Sequence, residues 1–283
     1  MAVLSIHTWS LHRVLGPLHF TRWDPARRQP APAVEQQPKT LRLAELPARL
    51  RDMGFQACEL AHCHLPALED IKVAALSELR HAFAASGVTL WSLVVDYGDL
   101  SSADPVRTTA DRAYLAEWVR VAAVLGARYV RVVAGEGSPD DPAALDRAAA
   151  GLEPLCALAE SLGVGLLTEN FRRLCSTAEA CNALCERLQG RVGLTADFGN
   201  FPRPQRYTAL PAILPRARSI HAKPEHDGDG RLDAAEFTRC LDLAVAAGFR
   251  GAYSVVYNGP GDPWDGVTRT AALIRAHPRA LAL

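Results

Sequence analysis

Three short segments each end an apolar run in a group able to hold a metal or move a proton. Gly165-Leu166-Leu167-Thr168-Glu169-Asn170 closes on a carboxylate, and Leu194-Thr195-Ala196-Asp197-Phe198-Gly199-Asn200 carries a second. Ser219-Ile220-His221-Ala222-Lys223 adds an imidazole and, two residues on, an amine. One ionisable group at the end of an apolar run often marks only the place where the chain reaches water. Three in succession, at equivalent places on successive strands, can converge on one ion. Two carboxylates and an imidazole suit Mn, Zn, Fe, Co or Mg without choosing among them. Lys223 shares a strand face with His221 by the period-two rule, as a partner in proton transfer or as a solvated lysine at a loop start.

Such convergence needs parallel strands aligned at their C-terminal ends. The chain supplies eight apolar, β-rich runs: 3–7, 57–61, 89–95, 129–134, 165–170, 193–198, 219–223 and 252–258. Helical patterns alternate with them at 41–53, 71–86, 107–125, 142–162, 177–188, 210–216, 234–247 and 264–277. Several of these helices stop at a Gly that feeds the next strand, as in Ser86-Gly87-Val88 and Leu125-Gly126-Ala127, where glycine fits the left-handed position past a helix end. Eight units in strict alternation, over a length close to the roughly 250 residues typical of the fold, predict an α/β chain forming a single (β/α)8 TIM barrel over 1–283. An open doubly wound sheet usually has fewer strands and often a glycine-rich phosphate turn, which is missing here. In a barrel the reacting groups come from the C-terminal strand ends, where Glu169, Asp197 and His221 fall.

Composition narrows the partners. The 31 basic and 31 acidic residues cancel, so no positive field exists to hold nucleic acid or an anionic membrane. No apolar stretch reaches the roughly 20 residues of a membrane span. Seven scattered cysteines without a Cys-x-x-Cys pair read as reduced thiols. The expectation is a cytoplasmic protein acting on a small molecule, with homo-oligomerisation left open. The stretch 16–39, rich in Pro, Arg and Gln, is too long for a routine βα connection. It is expected to be an irregular insertion, either a lid over the site or a disordered surface segment, with Phe20 and Trp23 favouring the lid.

Further candidates surround the three strand ends. His62 and His64 follow the second strand and are placed to approach the pocket rim, although paired histidines are also common in plain loops. Trp9 follows the first strand, as a wall of the pocket or packed under the next helix. Arg131, on the fourth strand, is able to pair with a carboxylate or phosphate, or to neutralise a neighbour inside the barrel.

The strings LLTENF, LTADFGNF, SIHAKPEHDGDGRLD and GFRGAYSVVYNGPGDPWDGV resemble, in order and spacing, the second half of the xylose-isomerase-like barrel family of sugar phosphate isomerases and epimerases. LSIHTWSLHRVLG, MGFQACEL and LGARYVRV extend the resemblance more weakly over the first half. It implies one divalent ion held by Glu169, Asp197 and His221, with Glu169 doubling as a catalytic base alongside Lys223. It also implies a pocket in which Trp9, His62, His64, Arg131, Asn200 and Asn258 meet a small sugar or polyol. Family members carry a fourth ligand, Glu, on the eighth strand; this chain has Val256 there, in Ser254-Val255-Val256-Tyr257-Asn258-Gly259. Val256 neither ligates nor moves a proton. Asn258, two residues on, is expected to share its face and help hold the ion.

The resemblance therefore implies a metal-assisted isomerase or epimerase working through an enediolate. Two alternatives follow from Val256: a dehydratase or lyase needing only one base, or a non-catalytic sugar-binding barrel that has lost its metal. The family's zinc endonucleases need a larger metal cluster and a basic face, and neither is present.

Overall fold

The computed structural model describes residues 1–227 and 231–282; part of the string SIHAKPEHDGDGRLD, at 228–230, lies outside the described residues. Eight parallel strands close into a barrel. In chain order the elements are β1 (Val3–His7), β2 (Leu18–Asp24), β3 (Gln29–Glu35), α1 (Leu46–Asp52), β4 (Ala57–Ala61), α2 (Val73–Ser86), β5 (Thr89–Val95) and α3 (Pro105–Leu125). There follow β6 (Tyr129–Val132), α4 (Pro142–Ser161), β7 (Gly165–Glu169), α5 (Ala178–Arg187), β8 (Val192–Asp197), α6 (Arg206–Ile213), β9 (Ala217–Ala222), α7 (Ala234–Ala246), β10 (Ala252–Val255) and α8 (Pro263–Ala276). The strand order is β1-β10-β9-β8-β7-β6-β5-β4, closed by pairing of β4 with β1.

Local chemistry marks the helix boundaries. Asp104, Asp141 and Asp262 each accept a hydrogen bond from a backbone N–H of the first turn, and each is followed by a proline that starts its helix; both devices suit a helix N-terminus. Gly87 and Gly126, at φ 73° and 75°, terminate α2 and α3 in the left-handed conformation their sequence context calls for.

The helices bury their apolar sides against outward-facing strand residues such as Leu4, Ile6, Leu166 and Ile220. The inward faces are unlike the usual Val/Ile/Leu filling. At the N-terminal end, Trp91 and Tyr129 fill the space beside Ala57 and Ala252, and a side chain on Gly165 would run into Tyr129. One layer up the interior is polar: Ser5 bonds Ser254, and Ser219 bonds Glu59. This layer supports the groups at the C-terminal mouth.

Three expectations about elements change. The stretch 16–39 is not irregular: β2 and β3 form an antiparallel hairpin in register from Leu18–Glu35 to Asp24–Gln29. Pro30 and Pro32 hid it, yet both lie at one parity of β3, so their missing N–H groups fall on the same edge. The hairpin is pinned to α3 by Thr21–Tyr114 at 2.6 Å, by Arg107 5.2 Å over the Trp23 ring, and by Arg28–Asp104 at 2.8 Å. The helix expected at 210–216 begins earlier, at Arg206, and ends in a tight turn over Leu214–Arg216. Likewise the helix expected at 41–53 is a 3-10 turn (Leu43–Glu45) leading into α1.

Candidate metal and substrate site

Side chains alternate along a strand, and this phase turns Glu59, Arg131, Glu169, Asp197 and His221 inward, all buried. The register pairs Asp197 with His221 directly and sets Glu169 opposite Thr195. His221 is the hub. Its Nδ1 lies 3.3 Å from Glu169 Oε1 and 3.6 Å from Asp197 Oδ2, and its Nε2 lies 3.0 Å from Glu59 Oε2. One ligand atom from each of Glu169, Asp197 and His221 falls within 4.8 Å of the others, close enough to share an ion.

Each member is held from behind. The Ser219 hydroxyl donates to Glu59 Oε1 at 2.6 Å. Asn170 brackets the Asp197 backbone, accepting from its N–H at 2.7 Å and donating to its carbonyl at 3.0 Å. The Gly199 N–H donates to Asp197 Oδ1 at 2.6 Å. Asn200 Nδ2 donates to Glu169 Oε1 at 3.0 Å. Arg131 bridges two carboxylates, with Nη1 2.6 Å from Asp96 and Nε 2.9 Å from Glu169 Oε2.

The electrostatics follow from this crowding. Burial alone would lower the His221 imidazole, but Glu169, Glu59 and Asp197 outweigh it and hold it well above its ordinary value. Burial would raise Glu59; the facing His221 and the Ser219 hydroxyl overturn that and bring it to about 2. Asp96 is likewise held low against burial, chiefly by Arg131. With the proton of His221 removed, four carboxylates (Glu59, Asp96, Glu169, Asp197) crowd the site with Arg131 and Lys223 beside them and Arg22 and Arg172 elsewhere on the cavity wall. A divalent cation would take the place of that proton among the carboxylates, and the hard oxygen and imidazole donors suit one. With an ion bound, Nδ1 would be the ligating nitrogen and Nε2–H would donate to Glu59, the carboxylate–histidine support seen behind many metal-bound histidines.

The set floors a cavity of about 520 Å³ at the C-terminal mouth. His7, Trp9, Asp96, Arg131, Asn200, Lys223 and Val256 face it, as do Phe20 and Arg22 of the hairpin and Phe171 and Arg172 of the β7–α5 loop. Trp9 stacks on His12 with ring centroids 4.5 Å apart. The Lys223 side chain makes no hydrogen bond or ion pair among the described residues, and it lies close enough to Asp197 to lower that acid.

Three expected residues do not reach the cavity. The chain turns sideways after β4 into a 3-10 turn, His62–His64. His62 is thereby buried edge-on to Trp118 behind Asp96, whose N–H faces its Nδ1 at 3.4 Å. His64 bonds the Thr8 carbonyl at 3.1 Å and lines a separate cleft. Asn258 is exposed, because β10 ends at Val255 and the period-two rule does not carry past it. Val256 does line the cavity, as an apolar patch of wall.

Glu59 and Asp96 are the groups that sequence reasoning missed. Both left a signal: Glu59 interrupts an otherwise apolar strand, and a charge buried there needs a partner. Asp96 follows β5 as Glu169 ends β7.

Residues 47–277 match the family model described as xylose isomerase-like TIM barrel. No curated protein matches the chain. Among solved structures, an L-ribulose 3-epimerase superposes with a TM-score of 0.71 at 18% identity, covering 99% of this chain and 95% of that one. A xylose isomerase-like TIM barrel protein from Mycobacterium smegmatis in complex with magnesium superposes at 0.66 and 17%, covering 100% and 98%. A D-psicose 3-epimerase from Clostridium cellulolyticum H10, solved with D-tagatose, gives 0.67 and 15%, covering 99% and 100%. Identities this low speak for the fold alone, but the family model spans most of the sequence: the chain belongs to the xylose isomerase-like TIM barrel family.

Proposed function

We propose that this protein is a metal-assisted isomerase or epimerase of a small sugar or keto-sugar-like compound. The observation that carries the reading is the buried Glu169–Asp197–His221 set, one ligand atom from each within 4.8 Å of the others, at the floor of a polar-walled cavity. The epimerases among the structural neighbours support it. The three residues would hold one divalent ion, which in this chemistry polarises the carbonyl and hydroxyl oxygens of a ketose.

The protein's own groups divide the remaining work. Glu169 is oriented by Asn200 and Arg131 so that its carboxylate edges the cavity, where it takes the proton next to the carbonyl. Arg131, fixed by Asp96, keeps that carboxylate in place. Lys223, whose side chain makes no hydrogen bond or ion pair among the described residues and lies beside Asp197, is the group placed to return a proton. Trp9 and Phe20 cover the apolar face of the sugar and exclude water.

Val256 favours a second reading. An apolar wall where the family resemblance implies a Glu leaves the proton machinery one-sided, which suits dehydration or eliminative cleavage of a keto-sugar derivative. Deuterium exchange separates the two. With Mn or Co added, the first reading expects the α-proton of a ketose to be replaced by deuterium from D2O with every carbon and oxygen retained, an exchange lost in Glu169→Gln. Loss of water or of a fragment from the substrate would move the assignment to the lyase, and no exchange with any ketose would refute the isomerase.

A further inference from the structure

The opposite, N-terminal end of the barrel holds a second cleft, of about 360 Å³, with a different chemistry. It is lined by Arg128, Arg218 and Arg250 and by Trp91, Tyr129 and Phe249, and among the described residues by no acidic one. The three arginines come from separate strand entries, just before β6, within β9 and just before β10, and all three are exposed. None of their guanidinium groups makes an ion pair or hydrogen bond among the described residues.

The aromatic side of the cleft is fixed. The Trp91 indole N–H donates to the Arg218 carbonyl at 3.2 Å, and its ring lies 5.6 Å from that of Tyr129. Arg128 lies over both rings, 4.9 Å from the Trp91 centroid and 5.8 Å from that of Tyr129. A guanidinium stacked in this way keeps its outer face and its N–H edge available. Gly251 permits the close approach of the walls, since a side chain there would strike the Arg218 carbonyl.

We propose that this cleft binds a small aromatic phosphate of nucleoside monophosphate size. Its base would extend the Trp91–Arg128 stack, and its phosphate would take the forked N–H groups of Arg218 and Arg250. The volume admits one nucleotide, and the neutral overall charge gives no field for a longer nucleic acid. The site is separate from the sugar cavity and does not depend on the activity assigned there.

Calorimetry of the full chain with AMP, adenosine and inorganic phosphate tests it. AMP is expected to saturate one site, with adenosine and phosphate each binding at least tenfold more weakly. The triple variant Arg128→Gln, Arg218→Gln, Arg250→Gln, whose changes are all on the surface, should keep its circular dichroism and lose at least tenfold in AMP affinity, while Lys223→Ala should bind AMP normally. Absence of saturable AMP binding would overturn the proposal. So would binding unaffected by the triple change, or lost instead in Lys223→Ala, which would place AMP in the sugar cavity. Adenosine or phosphate binding as tightly as AMP would overturn it as well.

Discussion

Glu59 is the most informative single residue to change, because it touches His221 without being placed to touch an ion. It is fully buried, its Oε2 lies 3.0 Å from His221 Nε2, and its Oε1 accepts from Ser219. Glu59→Gln keeps the shape of the side chain, and the amide oxygen can still accept from one of its two neighbours. What disappears is the negative charge behind the imidazole. Loss of such a supporting partner typically costs ten- to a hundredfold in metal affinity, which is about 1.4–2.7 kcal/mol. The metal-free fold should also lose about 1–3 kcal/mol, since an amide is a weaker acceptor than the Glu59 carboxylate for the buried imidazole of His221. Two measurements separate these terms: titration calorimetry with Mn or Co, and thermal unfolding with and without the ion, whose stabilising shift follows the affinity. Unchanged metal affinity in a destabilised Glu59→Gln protein would refute the reasoning and reduce Glu59 to a packing residue of the barrel.

The reverse change at the eighth strand, Val256→Glu, returns a carboxylate to the cavity wall. It should raise metal affinity at least tenfold by the same titration, while costing the metal-free protein about 1–3 kcal/mol for a buried polar group, the new carboxyl being protonated when no ion is present. Arg131→Met leaves Asp96 and Glu169 without their shared cation and should destabilise the fold by about 3–5 kcal/mol; a urea midpoint close to wild type would contradict that. Burial lowers both His62 and His64 to about 4. The unfolded chain, in which they titrate near 6.5, therefore binds more protons, and their contribution is complete above pH 6.5 and lost as the pH falls towards 4. Each should cost about 2 kcal/mol by pH 5, so His64→Gln should lose less stability than wild type between pH 7.5 and 5 in denaturant titrations, and equal losses would count against it.

The repeating units were legible because each strand and helix writes its period into adjacent residues, and the helix-ending glycines punctuate them. Glu169, Asp197 and His221 were legible for a related reason, since all three end inward phases of consecutive strands. Glu59 was not, because its meaning depends on the pairing of β4 with β1 that closes the barrel and brings it across the interior to His221. Asp96 was missed in the same way: its role comes through Arg131, one strand over. The hairpin was masked by prolines whose parity matters more than their number. Asn258 misled because the strand pattern continues in the sequence beyond Val255, while the backbone turns to bury Tyr257.

The central claim is that three residues suffice to hold an ion although Val256 replaces the fourth. Metal analysis of untagged protein prepared without chelator, alongside His221→Ala, tests it most directly. The account predicts about one divalent ion per chain in the wild type and none in the variant. No ion in either sample, with no uptake of added Mn, Zn or Co, would contradict it.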